Sequence, residues 1–305
     1  HTATGDAATG DHPGFLLFGT HDGLADSIIY VRPTEAQISA ISIPRDIYYD
    51  GQKLNEVNAT GGPLATATAV EELLGVEVDH YVSADFEAFE RVVDALDTIP
   101  IELEKEFLDP GMSYEVDGEE RMLYFPPGSH KIDGSTALAL ARSRRTTSDF
   151  SRARRQQLIL AGIRRRIDQL ALTDADHLFR LVNVAVRYTE TDLGFLDALT
   201  YYRRYRDSGD LRRLVLSTDN VFHSTYSELH EDGLPVERAE ELEQDEIGQW
   251  ILRPKNESWA SVRAFVEEWL SGGDPSVDEI FGTEGDTGAE VDLSLLEELT
   301  SQMPR

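Results

Sequence analysis

The sequence predicts an α/β protein in which a central mixed β-sheet is flanked by helices, so that the layers run α-β-α. Two observations support this class. Short apolar runs rich in β-branched residues alternate with longer segments whose apolar residues have helical spacing. The apolar content of 40% over 305 residues is also enough for a sizeable core, despite a net charge of −29.

The predicted elements follow one another in an order that suits these layers. Strands are predicted at 15–19, 27–31, 37–44, 80–82, 99–103 and 211–217. Helices are predicted at 66–74, 84–97, 133–141, 152–170, 174–187, 192–207 and 257–270. Residues 104–127 contain Pro, Gly and acidic residues, and they predict a loop or a hairpin insertion.

Composition along the chain predicts one folded domain with polar ends. Residues 1–13 are small and polar and predict a leader or linker. The domain is expected over 14–270, with its motifs at 15–157 and a helical C-terminal part at 158–270. Residues 271–305 carry nine acidic residues and one Arg, which predicts a mobile acidic tail.

The charge and the missing cysteines exclude several classes of function. Because 57 acidic residues face 28 basic ones, no global positive field attracts nucleic acid. The absence of Cys excludes disulfide scaffolds, Cys-ligated zinc and thiol nucleophiles. Only four of the basic residues are Lys. This bias suits a protein from a high-salt environment, where carboxylates keep a surface solvated and salt screens their repulsion, or an acidic secreted protein from a GC-rich genome.

The basic residues are concentrated in one window, at 134–167. It holds nine arginines and one acidic residue, Asp149, which leaves a net charge of +8. The nine are Arg142, Arg144, Arg145, Arg152, Arg154, Arg155, Arg164, Arg165 and Arg166.

Three of these arginines flank one loop. Arg142 and Arg144 end an apolar helix, and Arg152 begins the next helix, where the helix dipole disfavours a cation. Cations at both edges of a loop predict a bound anion, and the planar guanidinium fork suits phosphate. Arg154 and the run 164–166 are instead expected to pair with the abundant carboxylates.

Further charged residues follow the first predicted strands. Arg45 lies in SIPRD, directly after a strand, where α/β proteins place functional groups; a turn salt bridge is the alternative. The loop GTHDGLAD brings His21, Asp22 and Asp26 between the first two strands. Carboxylates facing an arginine cluster predict Mg²⁺ (or Mn²⁺) bridging to phosphate oxygens, with ordinary turn residues as the alternative.

These motifs and several others occur in one order that resembles the catalytic domain of the LytR-CpsA-Psr family. The matching segments are FLLFG at 15–19, SIPRD at 42–46, VEELLGV at 70–76, PGSHKIDGSTALALARSR at 127–144 and DFSRARRQQ at 149–157. The resemblance implies the α/β fold of that family.

The resemblance also implies a function. Members of the LytR-CpsA-Psr family are membrane-anchored, extracytoplasmic phosphotransferases of cell-envelope biogenesis. They move a glycan from a polyprenyl-pyrophosphate carrier to a cell-wall polymer or surface glycoprotein, using Mg²⁺. For this chain, hydrolysis of prenyl pyrophosphate is expected as a further activity when no acceptor is present. The prenyl chain lies in an apolar tunnel between sheet and helices. The anchor would lie outside the present chain.

Carried over by position, the resemblance assigns roles to individual residues. The catalytic residues are expected to be Arg45, Arg142, Arg144, Arg152 and Gln156. Asp26 matches the aspartate that binds Mg²⁺. Substrate contacts are expected from Lys53, Asn55, Arg145, Phe86, Phe89 and Val93. The last three share a helical apolar face that could line the lipid tunnel or belong to the plain core.

The first loop departs from the family pattern. The family has G-S-D-S-R followed by R-S-D-T, whereas this chain has G-T-H-D-G and L-A-D-S. The first metal-binding position therefore falls on His21, or on Asp22 if the register shifts, and Gly23 and Leu24 stand where arginines are expected. A polyprenyl-phosphate binding protein with weakened or lost catalysis is the alternative function.

Overall fold

The computed structural model describes residues 12–116, 119–143, 149–171, 175–227 and 248–281. Its strands are β1 (Phe15–His21), β2 (Leu24–Pro33), β3 (Ile38–Ile43), β4 (Tyr48–Tyr49), β5 (Gln52–Lys53), β6 (His80–Ala84), β7 (Ile99–Leu103), β8 (Phe107–Val116), β9 (Glu119–Phe125), β10 (Gly128–Ile132), β11 (Glu190–Thr191), β12 (Leu211–Val215), β13 (Phe222–Tyr226) and β14 (Trp250–Pro254). Its helices are α1 (Leu54–Leu74), α2 (Phe86–Asp94), α3 (Gly134–Arg142), α4 (Asp149–Ala171), α5 (Ala175–Tyr188), α6 (Phe195–Tyr205), α7 (Trp259–Leu270) and α8 (Val277–Phe281).

Six strands form the central sheet, in the order β11-β6-β1-β2-β3-β12. Strand β2 pairs antiparallel with both β1 and β3, whereas β6 runs parallel to β1 and β12 runs parallel to β3. The sheet is therefore mixed, and the predicted fold class is confirmed.

The side chains of β1 alternate between the two faces of the sheet, and those on one face belong to the first core. Leu16 and Phe18 are buried on the face covered by α1 and α7, together with Val70 and Val266. On the opposite face Leu17 points toward α2, α3 and α4. This alternation is the two-residue period of a strand, and it places helices on both sides of the sheet.

The second core lies beyond the sheet, among α2, α3, α4 and the β7–β10 pair. Leu96, Ile101, Leu140 and Ile159 are buried there. The Asp133 carboxylate caps α3 by accepting from the amide of Thr136 at 2.9 Å. The cap fixes the N-terminal end of α3, and the buried Leu140 packs near its C-terminal end, where Arg142 is located.

Helix α1 begins earlier than the sequence predicts. Helical spacing is evident only at 66–74, because Gly61, Gly62 and Pro63 signal a break. The structure accommodates the break as a kink, with Gly62 at φ 73°, a backbone conformation that favours glycine. The residues before the kink, Leu54 onward, already form the first turns of the helix.

The predicted insertion at 104–127 is a hairpin, made by β8 and β9. The hairpin of β13 and β14 was not predicted within the helical part, 158–270. The packed chain also extends past residue 270, because Val277 and Phe281 of α8 contact the first core, although this segment was predicted to be tail.

Residues 1–11 and 282–305 lie outside the described residues. Among the described helices, none combines the length and apolarity that crossing a membrane requires.

Glu257, just before α7, holds a small ion network together. Its carboxylate pairs with His223 on β13 at 2.7 Å and accepts from Arg253 Nε at 2.8 Å. Burial alone raises the pKa of the Glu257 carboxyl, but the hydrogen bonds from His223 and Arg253 outweigh it and lower that pKa to about 2.

Replacing Glu257 with glutamine is expected to lower stability in a pH-dependent way. The folded pKa lies below the unfolded value near 4.3, so the carboxylate stabilises the fold fully above that value and loses its effect as pH falls toward 2. Urea unfolding of wild type and Glu257→Gln between pH 6 and pH 2 checks this. The exposed Glu268→Gln is the control, and an equal stability of wild type and Glu257→Gln at pH 6 contradicts the expectation.

Candidate active site

A cavity of about 430 Å³ lies between the sheet and helices α2, α3, α4 and α5. This volume is in the range of small-molecule sites. Most of its wall is apolar. The apolar residues that line it are Leu17, Phe18, Ile29, Val82, Ala84, Phe86, Phe89, Val92, Leu138, Ala141, Ile159, Leu160, Ile163 and Ala185. The predicted tunnel residues Phe86 and Phe89 are therefore part of this wall.

Val93 is not. The sequence predicted it as a substrate contact, but it is fully buried in the second core and does not line the cavity. The apolar face of α2 is wide, since residues spaced by three and four drift around the helix. Phe86, Phe89 and Val92 face the cavity, while Val93 and Leu96 pack against other helices.

Charged and polar side chains gather at one end of the cavity, and we call this set the charged end. It consists of Asp26, Arg45, Arg142, Arg152 and Gln156. These residues come from β2, the turn after β3, the end of α3 and the start of α4. The structure thus brings together four of the five predicted catalytic residues and Asp26, one of the three predicted metal ligands. The fifth, Arg144, lies outside the described residues, as does Arg145.

Arg45 is held by two carboxylates. Its guanidinium donates to Asp26, and its Nε lies 3.6 Å from the Asp46 carboxylate. Asp46 is buried and also pairs with Lys53 Nζ at 2.8 Å. Lys53 therefore reaches the site through Asp46 and lines neither of the two cavities at the charged end.

The start of α1 supports the turn that carries Arg45. The backbone amide of Asn55 donates to the Arg45 carbonyl at 3.1 Å, and the amide of Leu54 donates to the Ile47 carbonyl at 2.8 Å. Asn55 itself is buried beneath the turn and lines neither cavity. The predicted substrate contacts Lys53 and Asn55 thus position the SIPRD turn.

Phe86 connects two predicted site residues. The ring of His21 stacks on it with centroids 4.6 Å apart, and the Arg142 guanidinium lies over it at 4.3 Å. Such cation–π contacts orient a guanidinium without neutralising its charge. Arg142 is therefore held at the mouth of the cavity with its donors available to a ligand.

The start of α4 carries two further site residues. Arg152 is only 8% exposed and lines the charged end. One turn later Gln156 accepts a hydrogen bond from the Ser27 hydroxyl at 2.9 Å. The sequence did not predict Ser27. The neighbouring Gln157 points elsewhere and donates to Ser42 Oγ and to the Leu214 carbonyl, which ties α4 to the sheet.

Arg155, between these residues on α4, is structural. It donates to the backbone carbonyls of Leu140 and Ser143 and lies over the Phe107 ring at 5.2 Å. Burial first, and then the nearby Arg152 charge, lower the pKa of Arg155 to about 10. By holding the last turn of α3, Arg155 fixes the place of Arg142.

Other arginines of the basic window pair as expected. Arg164 donates to Asp168 at 2.8 Å and to the carbonyls of Arg206 and Ser208. Arg166 donates to the Leu96 carbonyl, and it pairs with Asp97. Arg154 is 70% exposed and lies 3.9 Å from Asp219.

Asp26 fits a magnesium site with one protein carboxylate. Mg²⁺ commonly takes one or two carboxylates, and substrate phosphates and waters supply the remaining ligands. Asp26 lies at the charged end and pairs there with Arg45. His21 Nε2 instead lies 3.5 Å from Asp22. Within the described ranges, no three His, Asp or Glu side chains form a ready metal-binding group.

A second, smaller cavity of about 40 Å³ adjoins the charged end. It shares five lining residues with the larger cavity: Asp26, Ser27, Arg45, Arg152 and Gln156. Its remaining wall comes from the ends of β3 and β12 and from β14, including Trp250. The shared residues therefore lie between the larger cavity and a small second one.

Comparison with known proteins places this site in context. The profile of the LytR_cpsA_psr family matches residues 9–241. The chain is 34% identical over 185 residues to TagU of Halalkalibacterium halodurans, a polyisoprenyl-teichoic acid–peptidoglycan teichoic acid transferase; the match covers 57% of each chain. It is 32% identical over 146 residues to TagT of Bacillus subtilis. The chain spans about half the length of these relatives, 57% and 44%.

Solved structures share the fold. B. subtilis TagV superposes with a TM-score of 0.64 at 23% identity, covering 87% of this chain and 98% of TagV. At this level of identity the likeness establishes the architecture alone.

Proposed function

This chain belongs to the LytR-CpsA-Psr family, and from that membership we propose that it moves a glycan phosphate from a polyprenyl-pyrophosphate carrier to a cell-wall polymer or surface glycoprotein. One observation carries the proposal: an apolar cavity of about 430 Å³ ends at the guanidinium groups of Arg45, Arg142 and Arg152. The apolar wall suits a prenyl chain, and the arginines suit a diphosphate. The protein would act outside the cytoplasm, anchored to the membrane.

The arginines supply the electrostatic part of the catalysis. Negative charge increases on the phosphate oxygens in the transition state, and preformed cations in a partly buried site stabilise it. Arg152 is buried, so its guanidinium is already largely removed from water before the diphosphate arrives. Arg142, stacked on Phe86, would hold the diphosphate at the mouth of the cavity.

Asp26 would hold Mg²⁺ or Mn²⁺ against the diphosphate. The metal would neutralise charge on the phosphate oxygens and orient them. Arg45 contacts the same carboxylate and fixes its direction toward the charged end.

The transfer step balances without any further reactant. The acceptor hydroxyl oxygen forms a bond to the phosphorus that bears the glycan, and the bond from that phosphorus to the bridging oxygen breaks. Polyprenyl monophosphate leaves and takes up the hydroxyl proton. Water in place of the acceptor gives hydrolysis of the prenyl pyrophosphate.

A transfer assay with the purified protein tests the proposal. In buffer with high salt and Mg²⁺, a polyprenyl-pyrophosphate-linked glycan and a wall-polymer acceptor are expected to yield polyprenyl monophosphate and glycosylated acceptor. Asp26→Asn keeps the shape of the side chain but removes its charge, and is expected to lower the rate about 100-fold. Asp50→Asn, in the exposed turn between β4 and β5, is the matched control. No product from the wild type, or equal rates for the two variants, contradicts the proposal.

A binding function without turnover is the second candidate. The observation that favours it is the loop after β1, where Gly23 and Leu24 replace the arginines that the family pattern has. A binder would retain polyprenyl phosphate in native mass spectrometry and yet release no product in the assay. Release of polyprenyl monophosphate by the wild type contradicts the binding function.

A further inference from the structure

The two cavities lie on either side of the same five residues, and this arrangement gives the reaction a direction. The larger cavity is lined mostly by apolar side chains, and the smaller one leads from Arg45 and Arg152 to β14. If the prenyl chain lies in the larger cavity, as the proposed function requires, the phosphates lie among the shared residues. The leaving prenyl phosphate then points back into the larger cavity.

Phosphoryl transfer places the attacking and leaving oxygens roughly in line. The attacking hydroxyl must therefore approach from the side opposite the prenyl chain, which is the side of the smaller cavity. Its volume of about 40 Å³ has room for a hydroxyl group but not for a sugar ring. The ring that carries the hydroxyl has to rest outside it, on whatever surface borders it.

Trp250 is the aromatic residue at that border. It lines the smaller cavity and remains 36% exposed. Its strand is fixed on both sides: Trp250 pairs with the buried Tyr226 of β13, and the amide of Leu252 donates to the Asp46 carbonyl at 2.9 Å. Strand β14, which carries Trp250, is thus attached through its backbone to the turn that carries Arg45.

We propose that Trp250 is the platform on which the sugar ring of the acceptor rests while its hydroxyl enters the smaller cavity. A rigid indole offers a flat apolar face to the C–H face of a sugar and a polar N–H at its edge. The inference rests on the proposed function and adds to it a residue that holds the acceptor and the direction from which the acceptor approaches.

Acceptor and donor kinetics of Trp250 variants test the inference. Trp250→Ala is expected to raise the KM for a glycan acceptor about 10-fold while leaving the Kd for the polyprenyl-pyrophosphate donor unchanged. Trp250→Phe keeps a flat ring and is expected to restore most of the acceptor affinity. Trp250→Leu keeps an apolar side chain on the strand but no ring, and is expected to behave like the alanine variant.

The control is Tyr124→Ala, which removes another exposed aromatic residue, 46% exposed, from the β8–β9 hairpin. Its acceptor KM is expected to stay at the wild-type value. If the wild type transfers glycan but Trp250→Ala and Trp250→Leu keep the wild-type acceptor KM, the inference about Trp250 is overturned and the proposed function is not. A raised donor KM with an unchanged acceptor KM overturns the inference too, because the sugar on Trp250 would then belong to the donor. No transfer by the wild type overturns the proposed function and this inference together.

Discussion

Replacing Arg152 with alanine is expected to lower the rate of glycan transfer by about 100- to 1000-fold, the usual cost of removing one preorganised donor from the transition state. Arg152 is 8% exposed and borders both cavities, so its charge acts at short range and is poorly screened by water. The rate is measured as polyprenyl monophosphate released at saturating donor and acceptor.

Helix α4 offers a matched control for this variant. Arg154→Ala removes the same side chain two residues away, where it is 70% exposed, and is expected to leave the rate unchanged. Arg152→Lys keeps the charge but loses the planar fork, so an intermediate rate is expected. If Arg152→Ala and Arg154→Ala retain similar rates, the diphosphate is not held by Arg152. Circular dichroism establishes that each variant is folded.

Filling the apolar cavity is expected to have the second largest effect. Ala185 of α5 lines the cavity, so Ala185→Trp would occupy space that the prenyl chain needs. Each methylene kept out of an apolar site costs about 0.8 kcal/mol, so the Kd for a long-chain polyprenyl pyrophosphate is expected to rise by about 10- to 100-fold. Isothermal titration with long-chain and geranyl donors measures both affinities.

Helix α5 also supplies the control for Ala185→Trp. Asn183 is exposed, so Asn183→Trp adds an indole to α5 outside the cavity and is expected to leave both affinities unchanged. The geranyl donor is short and is expected to bind Ala185→Trp nearly as well as the wild type. Equal losses for long and short donors would indicate a general disturbance of the fold, and the prenyl chain would then have to lie elsewhere.

The sequence could predict the layers and most of the charged end, because those depend on local signals. Strand alternation, helical spacing and the motifs around Asp26, Arg45 and Arg152 are all readable along the chain. Helix α1 was predicted too short, because the Gly-Gly-Pro signal that normally ends a helix here produces a kink at Gly62.

The remaining site features depend on contacts between distant segments, which have no local signal. Spacing places Phe86 and Val93 on one apolar face, and only the packing of α3 and α4 decides which of them borders a cavity. In the same way, nothing near Trp250 in the sequence indicates that the bridge between Ile47 and Leu252 brings β14 beside Arg45. Ser27 was missed because a serine in a strand has no distinguishing pattern.

The way the arginines of the basic window are paired affects the rate at which an anionic ligand reaches the site. Arg155, Arg164 and Arg166 donate to backbone carbonyls or carboxylates. Of the arginines of this window that the structure describes, Arg142 and Arg152 line the charged end. The proposed diphosphate-linked donor is an anion, and it therefore approaches a protein of net charge −29. Its encounter rate is expected to rise with added salt, which shortens the reach of that repulsion, in contrast to the usual steered association between opposite charges.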